Sequence, residues 1–441
     1  MVSAIMVAAF TQAIALPQPE CTLALTGAMV WVDGHFERRD LAIADDGTIR
    51  GSEVTACARE LSLPGHFISP PFGEGHTHNI EPQWLLDSVN QRYLAEGVFY
   101  VQNANAYPPA VAALQSRLAE PGTINVAFAM GGLTSYHGHP EPVYVITLSG
   151  IMYGGMERAG FVGQAFHTIE QEADIAPALD LLQEQGADFV KIYLVSSENF
   201  AERHARMSDD AFWSDTVSRV QSGELEGEAY AGFLSENVTG LNPELVAPIV
   251  ASVQARGLRV MAHVSTSNDF SVAVRAGVDG VLHMPGAYFG PDESADTYRL
   301  SDGAIERAAE TGAFVVTTAN VRPDFVSDDT RQAVHSLQAE NIRRLREAGI
   351  PVLIGTDRWN ETSFDEVGHL VTIGAMTPAE AFAAWIDTGR AIFPDRQIGA
   401  IAPGYEADLL VFSQNPAESL EGMRAISHRI MDGELLDLPA E

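Results

Sequence analysis

Short apolar segments recur through the middle of this chain, and most are followed by a stretch of helical periodicity. The strand candidates run over 68–75, 98–102, 124–130, 189–195, 259–264, 280–283, 313–317 and 352–356. Between them lie patterns such as PELVAPIVASVQARG and DDTRQAVHSLQAENIRRLREAG, which end in Gly as helices commonly do. Eight β-units, most trailed by a helix, predict an α/β protein built on a (β/α)8 TIM barrel.

The two ends of the chain read differently. TLALTGAMVWVDG and LAIADDGTIR near the start are β-rich, with Asp45-Asp46-Gly47 as a hairpin-turn signal. YEADLLVFS and HRIMDGEL near the end are strands broken by turn residues. The expected organisation is a small β-sandwich domain from residues 21–68 and 396–441, flanking a barrel over 69–395. Two connections are oversized, from Gly131 to about Asp174 and from Ser196 to about Gly240. Long loops after barrel strands commonly form lids and pocket walls.

Charge narrows the partners. With 26 Lys+Arg against 59 Asp+Glu the net charge is −33. Such a surface repels phosphate backbones, so no nucleic-acid partner is expected. No apolar run reaches the length of a membrane span. The first 20 residues hold an apolar stretch with Ala13-Ile14-Ala15 as a small-x-small cleavage pattern, but no Lys or Arg precedes it. The expectation is a signal peptide and a periplasmic or secreted protein, with a cytoplasmic one as the alternative. Cys21 and Cys57 are the only cysteines. They are too few and too badly placed for a zinc cluster, and a disulfide between them requires an oxidising compartment.

The chemistry-bearing residues sit at strand ends, where active sites of this barrel lie. GHTHN puts His76 and His78 two residues apart, on one face of a strand. Lys191 stands in FVKIYLV on the fourth strand, His263 in LRVMAHVS on the fifth, His283 in DGVLHMPG on the sixth and Asp357 in IGTDRWN on the eighth. Singly, each has an ordinary explanation. A strand histidine can be a satisfied core residue, Asp357 a helix N-cap, and Lys191 the ion-pair partner of Asp357. Six of them in one order at one barrel mouth point to a metal site instead.

That order, H-x-H, Lys, His, His, Asp, resembles the amidohydrolase superfamily of metal-dependent hydrolases. So do LPGHFISPPFGEGHTH at the barrel's entry and IGAIAPGYEADLLVFSQNP at its exit. GADFVKIYLV and GLRVMAHV look most like the imidazolonepropionase-like and prolidase-like members. The resemblance implies two divalent metal ions, usually Zn2+. His76, His78 and Asp357 would hold one ion, His263 and His283 the other, and Lys191 would bridge them as a carbamate. It further implies a metal-bridging hydroxide as nucleophile, with Asp357 as the catalytic general base and acid.

The pocket is less well specified. TSYHGHPEP offers His137, and as a rival His139, for substrate binding. Tyr230, in the insertion RVQSGELEGEAYAGFLS, is either a lid residue touching substrate or a packing residue. The expected activity is hydrolysis of an amide C–N bond in a small-molecule substrate: a dipeptide, N-acyl amino acid or cyclic amide. The same metal pair could serve an esterase, lactonase or phosphotriesterase. A deaminase fits less well because Lys191 is present. A catalytically silent binding protein would be expected to have lost ligands. A homo-oligomer is compatible with everything above.

Overall fold

Eight parallel strands close a barrel in the computed structural model, which describes residues 21–50, 57–286, 294–320 and 328–437. The expected signal segment, 1–20, lies outside the described residues. In chain order the barrel strands are Phe72–Thr77, Val98–Asn103, a third in two pieces (Asn125–Phe128 and Gly132–Thr134), Val190–Leu194, Val260–Val264, Gly280–Val281, Phe314–Val316 and Val352–Leu353. Parallel pairing runs from the first strand to the third and from the third to the eighth. The ring is completed where Gly75 N donates to Ile354 O at 2.8 Å and Asp357 N donates to His76 O at 2.9 Å.

The crossovers explain why the strands read as apolar runs. Each strand is covered on both faces, so alternation is lost; every residue of Val190–Leu194 is buried. Helix Val246–Gln254 buries Val246, Ile249, Val250 and Val253, one stripe of a 3.6-residue period. The last crossover helix, Pro378–Ile392, starts on a capping box between Thr377 and Glu380 with Pro378 in its first turn. It packs so close to the first strand that a Cβ on Gly73 would lie 2.3 Å from Gly389 N.

Two further sheets form the sandwich. One orders Ile49–Arg50, Leu41–Ile43, Cys21–Thr26 and Cys57–Ser62. The other orders Glu434–Leu435, Ile426–Met431, Leu409–Phe412, Phe67–Ser69, Met29–Val32 and His35–Arg38, and so joins both ends of the chain. Between them lies a separate core that includes Leu23, Leu25, Val30, Ile68, Leu409 and Val411. Cys21 and Cys57 face each other in register and form a disulfide, with Cα atoms 4.6 Å apart.

The segment over 68–75, expected as one strand, is two. Phe67–Ser69 belongs to the sandwich and Phe72–Thr77 to the barrel. Pro70 and Pro71 separate them, and neither has an N–H to continue a ladder. The third strand, expected over 124–130, breaks near Met130, whose φ is 56°. The sixth and eighth strands are shorter than expected and end before His283 and Asp357. The oversized connections are structured. The first adds strand Phe166–Thr168 beside Gly132–Thr134, and the second carries helices Phe200–Met207, Asp210–Gln221 and Gly227–Asn237. Among the described residues no helix is long and apolar enough to cross a membrane.

Candidate metal centre

His76 and His78 leave the first strand with each Nδ1 facing a backbone carbonyl, Leu282 O at 2.8 Å and Asn105 O at 3.3 Å. A carbonyl only accepts, so each neutral imidazole carries its proton on Nδ1 and presents a lone pair at Nε2. Those lone pairs converge. The two Nε2 atoms are 3.3 Å apart, and Asp357 Oδ1 lies 3.3 Å from the first and 3.2 Å from the second. Three acceptors this close repel one another unless a cation or a shared proton lies between them.

The remaining histidines extend the cluster. His283 Nδ1 is 2.9 Å from Thr318 Oγ1 and 3.7 Å from Asp357 Oδ2. Its ring lies 4.5 Å from that of His76 and 4.3 Å from that of His263. Donor atoms of His76, His283 and Asp357 all fall within 4.8 Å of one another. Imidazole nitrogens with a carboxylate suit a first-row divalent ion such as zinc. Burial pushes His76, His263 and His283 well below the ordinary imidazole value, with Lys191 adding to the shift. They are therefore held neutral, as metal ligands must be. Burial opposes the charge on Asp357, but His78, His283 and Lys191 beside it hold its carboxyl below the usual range.

Lys191 is 1% exposed. Its Nζ sits 5.3 Å from the Tyr193 ring centre and makes no hydrogen bond or ion pair among the described residues. Burial lowers its pKa to about 7, partly offset by the charge of Asp357. A large share of the amine is thus unprotonated at neutral pH.

The backbone around this cluster is unusual. Met130 sits in the break of the third strand, Ser196, Thr318 and Asp357 follow the fourth, seventh and eighth, and all four are left-handed, with φ of 56°, 49°, 44° and 54°. Such conformations cost roughly 1–3 kcal/mol each and collect at functional sites. Hydrogen bonds hold them: Thr318 N to Gly355 O at 3.1 Å, and Ser196 N to Asp269 Oδ2 at 2.9 Å. Above the cluster opens a cavity of about 150 Å3, lined by the six residues at the strand ends and by His139, Glu81, Tyr144, Tyr193 and Trp359 among others.

The amidohydrolase family model matches residues 215–436, about half of the sequence and the part that carries His263, His283 and Asp357. The chain belongs to the amidohydrolase family. An ochratoxinase from Aspergillus niger is 26% identical over 220 residues, 46% of this chain and 43% of that protein. An imidazolonepropionase from Geobacillus thermodenitrificans is 29% identical over 179 residues, 39% of this chain and 37% of that one. Each match thus spans less than half the length of its curated relative. The solved structure of the A. niger ochratoxinase superposes with a TM-score of 0.70 at 18% identity, covering 95% of this chain and 96% of the other. A prolidase complexed with N-methylphosphonate-L-proline superposes at 0.65 and 18% identity, covering 95% and 100%. These superpositions speak to the fold, barrel and sandwich together.

Of the residues expected in the pocket of this amidohydrolase, the structure brings His139 to the centre. Its ring lies 4.9 Å from His263 and 5.0 Å from Tyr193, and burial lowers its pKa to about 4. His137 turns away. Its Nδ1 bonds Glu141, its ring stacks on Trp213 at 4.0 Å, and Glu141 is in turn held by Arg158. Neither His137 nor Tyr230, on helix Gly227–Asn237, lines the cavity. Sequence reasoning passed over Tyr193, although it stands two residues beyond Lys191 on the same strand face. It also passed over Glu81, a buried carboxylate that accepts from Tyr107 N at 2.8 Å and from the hydroxyls of Tyr144 and Tyr153. No motif marks Glu81, since two of its partners come from the third-strand connection.

Proposed function

We propose that the chain is a metal-dependent hydrolase that cleaves an amide C–N bond in a small substrate. One observation carries this reading: Nε2 of His76 and Nε2 of His78 meet the Asp357 carboxylate at 3.2–3.3 Å, a geometry suited to a shared cation. Similarity to an ochratoxinase, an imidazolonepropionase and a prolidase supports it.

His76, His78 and Asp357 would hold one divalent ion, most naturally zinc, and His263 and His283 a second. Lys191 would bridge them as a carbamate. In that reaction neutral Nζ attacks the carbon of CO2, an N–C bond forms, and an N–H proton leaves to solvent. The result is an anion in place of an amine that makes no hydrogen bond or ion pair among the described residues. The bound ions would supply Lewis-acid activation of a water and of the scissile carbonyl. Asp357, a carboxylate at neutral pH, takes the proton of the attacking water and passes it to the departing nitrogen. His139 is neutral at pH 7 and can donate a hydrogen bond to the substrate oxygen. We also assign the chain to an oxidising compartment, which the Cys21–Cys57 disulfide supports.

The test is metal analysis of the purified protein, followed by a screen of dipeptides, N-acyl amino acids and lactones at fixed zinc. The expected result is close to two equivalents of metal and amide turnover that a chelator removes and zinc restores. Metal-free protein with no turnover after zinc addition would sink the proposal.

A further inference from the structure

A second cavity, of about 170 Å3, adjoins the first and shares His139, Val143 and His263 with it. Sites that enclose a small organic molecule run to roughly 300–1,000 Å3. The catalytic cavity alone, at about 150 Å3, falls short of that, so the two make halves of one site.

The halves differ in chemistry. The apolar wall of the second comes from Pro142 and Val143 after the third strand, Val195, Leu234 and Val238 after the fourth, and Tyr298 after the sixth. Several polar groups along it are held by protein partners. Ser196 N donates to Asp269 at 2.9 Å, Ser265 Oγ lies 3.2 Å from His263 Nε2, and Thr266 Oγ1 donates to Glu198 at 3.2 Å. No Asp, Glu, Lys or Arg is among its described lining residues, on a chain with 26 Lys+Arg and 59 Asp+Glu. A charged group entering here would lose its hydration and meet no counterion. An apolar group gains from burial. An apolar cavity of roughly 150 Å3 takes a benzene ring, which sets the size of the occupant.

We infer that this second cavity is the subsite for a neutral, ring-sized apolar substituent attached beside the scissile amide. The inference rests on the amide-hydrolase reading and adds the substrate class to it. Leu234 lies in the last turn of helix Gly227–Asn237 and Val238 caps that helix. The segment inserted after the fourth strand is therefore the selectivity element.

The test uses the metal-loaded full chain and three probes: N-benzylacetamide, N-methyl-2-phenylacetamide and N-(4-carboxybenzyl)acetamide. Calorimetry should show at least one of the two neutral probes binding about tenfold or more tighter than the carboxylated one, the ratio that burying one apolar group supports. Leu234→Asp should weaken the neutral probes by a similar factor, and Leu234→Met should leave them nearly unchanged. Equal binding of neutral and carboxylated probes, failure of both neutral probes to bind, or indifference to Leu234→Asp overturns the subsite. In a parallel kcat/KM series, amides bearing a phenyl group should exceed those bearing hydrogen by at least about tenfold. Probe discrimination without any amide turnover would leave the subsite standing and remove the hydrolase reading. Turnover without preference would do the reverse.

Discussion

The first barrel strand begins at Phe72 and reaches His76 four residues later, and its two ends obey opposite rules. At the lower end Phe72 stacks on Trp385 with ring centres 3.8 Å apart, and Phe382 and Phe412 close around it. The polar atom of the stacked indole is satisfied: the Trp385 N–H donates to Ser363 Oγ at 2.9 Å. At the upper end acceptors face acceptors, Lys191 Nζ makes no hydrogen bond or ion pair among the described residues, and three strand ends take left-handed backbone. One end lowers the free energy of the fold. The other stores unfavourable arrangements that the rest of the molecule must hold in place. Stability and chemistry should therefore separate under mutation.

The largest separation is expected at Lys191. Lys191→Ala should lose metal and at least about 10^3-fold in kcat/KM, on the order of 4 kcal/mol of transition-state stabilisation. Its melting temperature should stay close to that of the metal-free native protein. Acetate or bicarbonate should recover part of the activity by occupying the vacated carboxylate position. Full metal content at a near-normal rate would leave the bridge without its residue and merge the two ends of the comparison.

The opposite result is expected at the lower end. Trp385→Ala removes a fully buried ring and should cost roughly 3–5 kcal/mol in urea unfolding. Activity per folded molecule should remain within about threefold of the parent, since no atom of Trp385 lines the cavity. A selective loss of kcat with unchanged stability would mean that the packed end also positions the site.

This division also decides what the sequence could disclose. The barrel was legible because buried parallel strands read as apolar runs and helices carry their stripe and their caps. His76, Lys191 and His263 were legible because they stand within strands, where periodicity fixes the side-chain direction, whereas His78, His283 and Asp357 lie just beyond theirs and were legible by their order in the chain. His139 could not be told from His137 on the same terms. The two sit two residues apart in a loop where His137 has a φ of 56°, so no periodicity relates their directions. Glu81 was invisible for a related reason: Tyr144 and Tyr153 reach it from a connection that sequence alone leaves unfolded. The switch at Pro70-Pro71 was present in the residues, yet the apolar run across it masks the change of sheet.

A smaller effect should sharpen the comparison from inside the mouth. Thr318→Ala removes the hydroxyl beside His283 Nδ1 but leaves the first contacts of the cluster in place. Loss of such an orienting partner typically costs about 10–100-fold in metal affinity or activity. The expectation is a loss near the lower figure, with metal content recovered at raised zinc. A variant whose activity stays low at saturating zinc would place Thr318 in the chemistry rather than in orienting His283.

The smallest effect belongs to the helix that carries Trp385, at its exposed N-terminus. Glu380 lies 2.8 Å from Arg346 and accepts from Thr377 N at 2.7 Å and Thr377 Oγ1 at 2.8 Å. The Arg346 bond, then the Thr377 backbone, lowers its pKa from 4.5 to about 2. A folded-state pKa below the unfolded one means that the contribution is full above about pH 4.5 and fades as pH falls toward 2. The side chain is 40% exposed, so solvent screening keeps the contribution under about 1 kcal/mol. Glu380→Gln keeps an acceptor for Thr377 and removes the charge. It should destabilise by roughly 0.5 kcal/mol at pH 7, and the difference from the parent should shrink steadily below about pH 4.5 and vanish only below about pH 2, read as paired urea midpoints at each pH. A gap that does not shrink as pH falls would show that Gln fails as a cap, and that the lower end depends on the carboxyl's shape rather than on its charge.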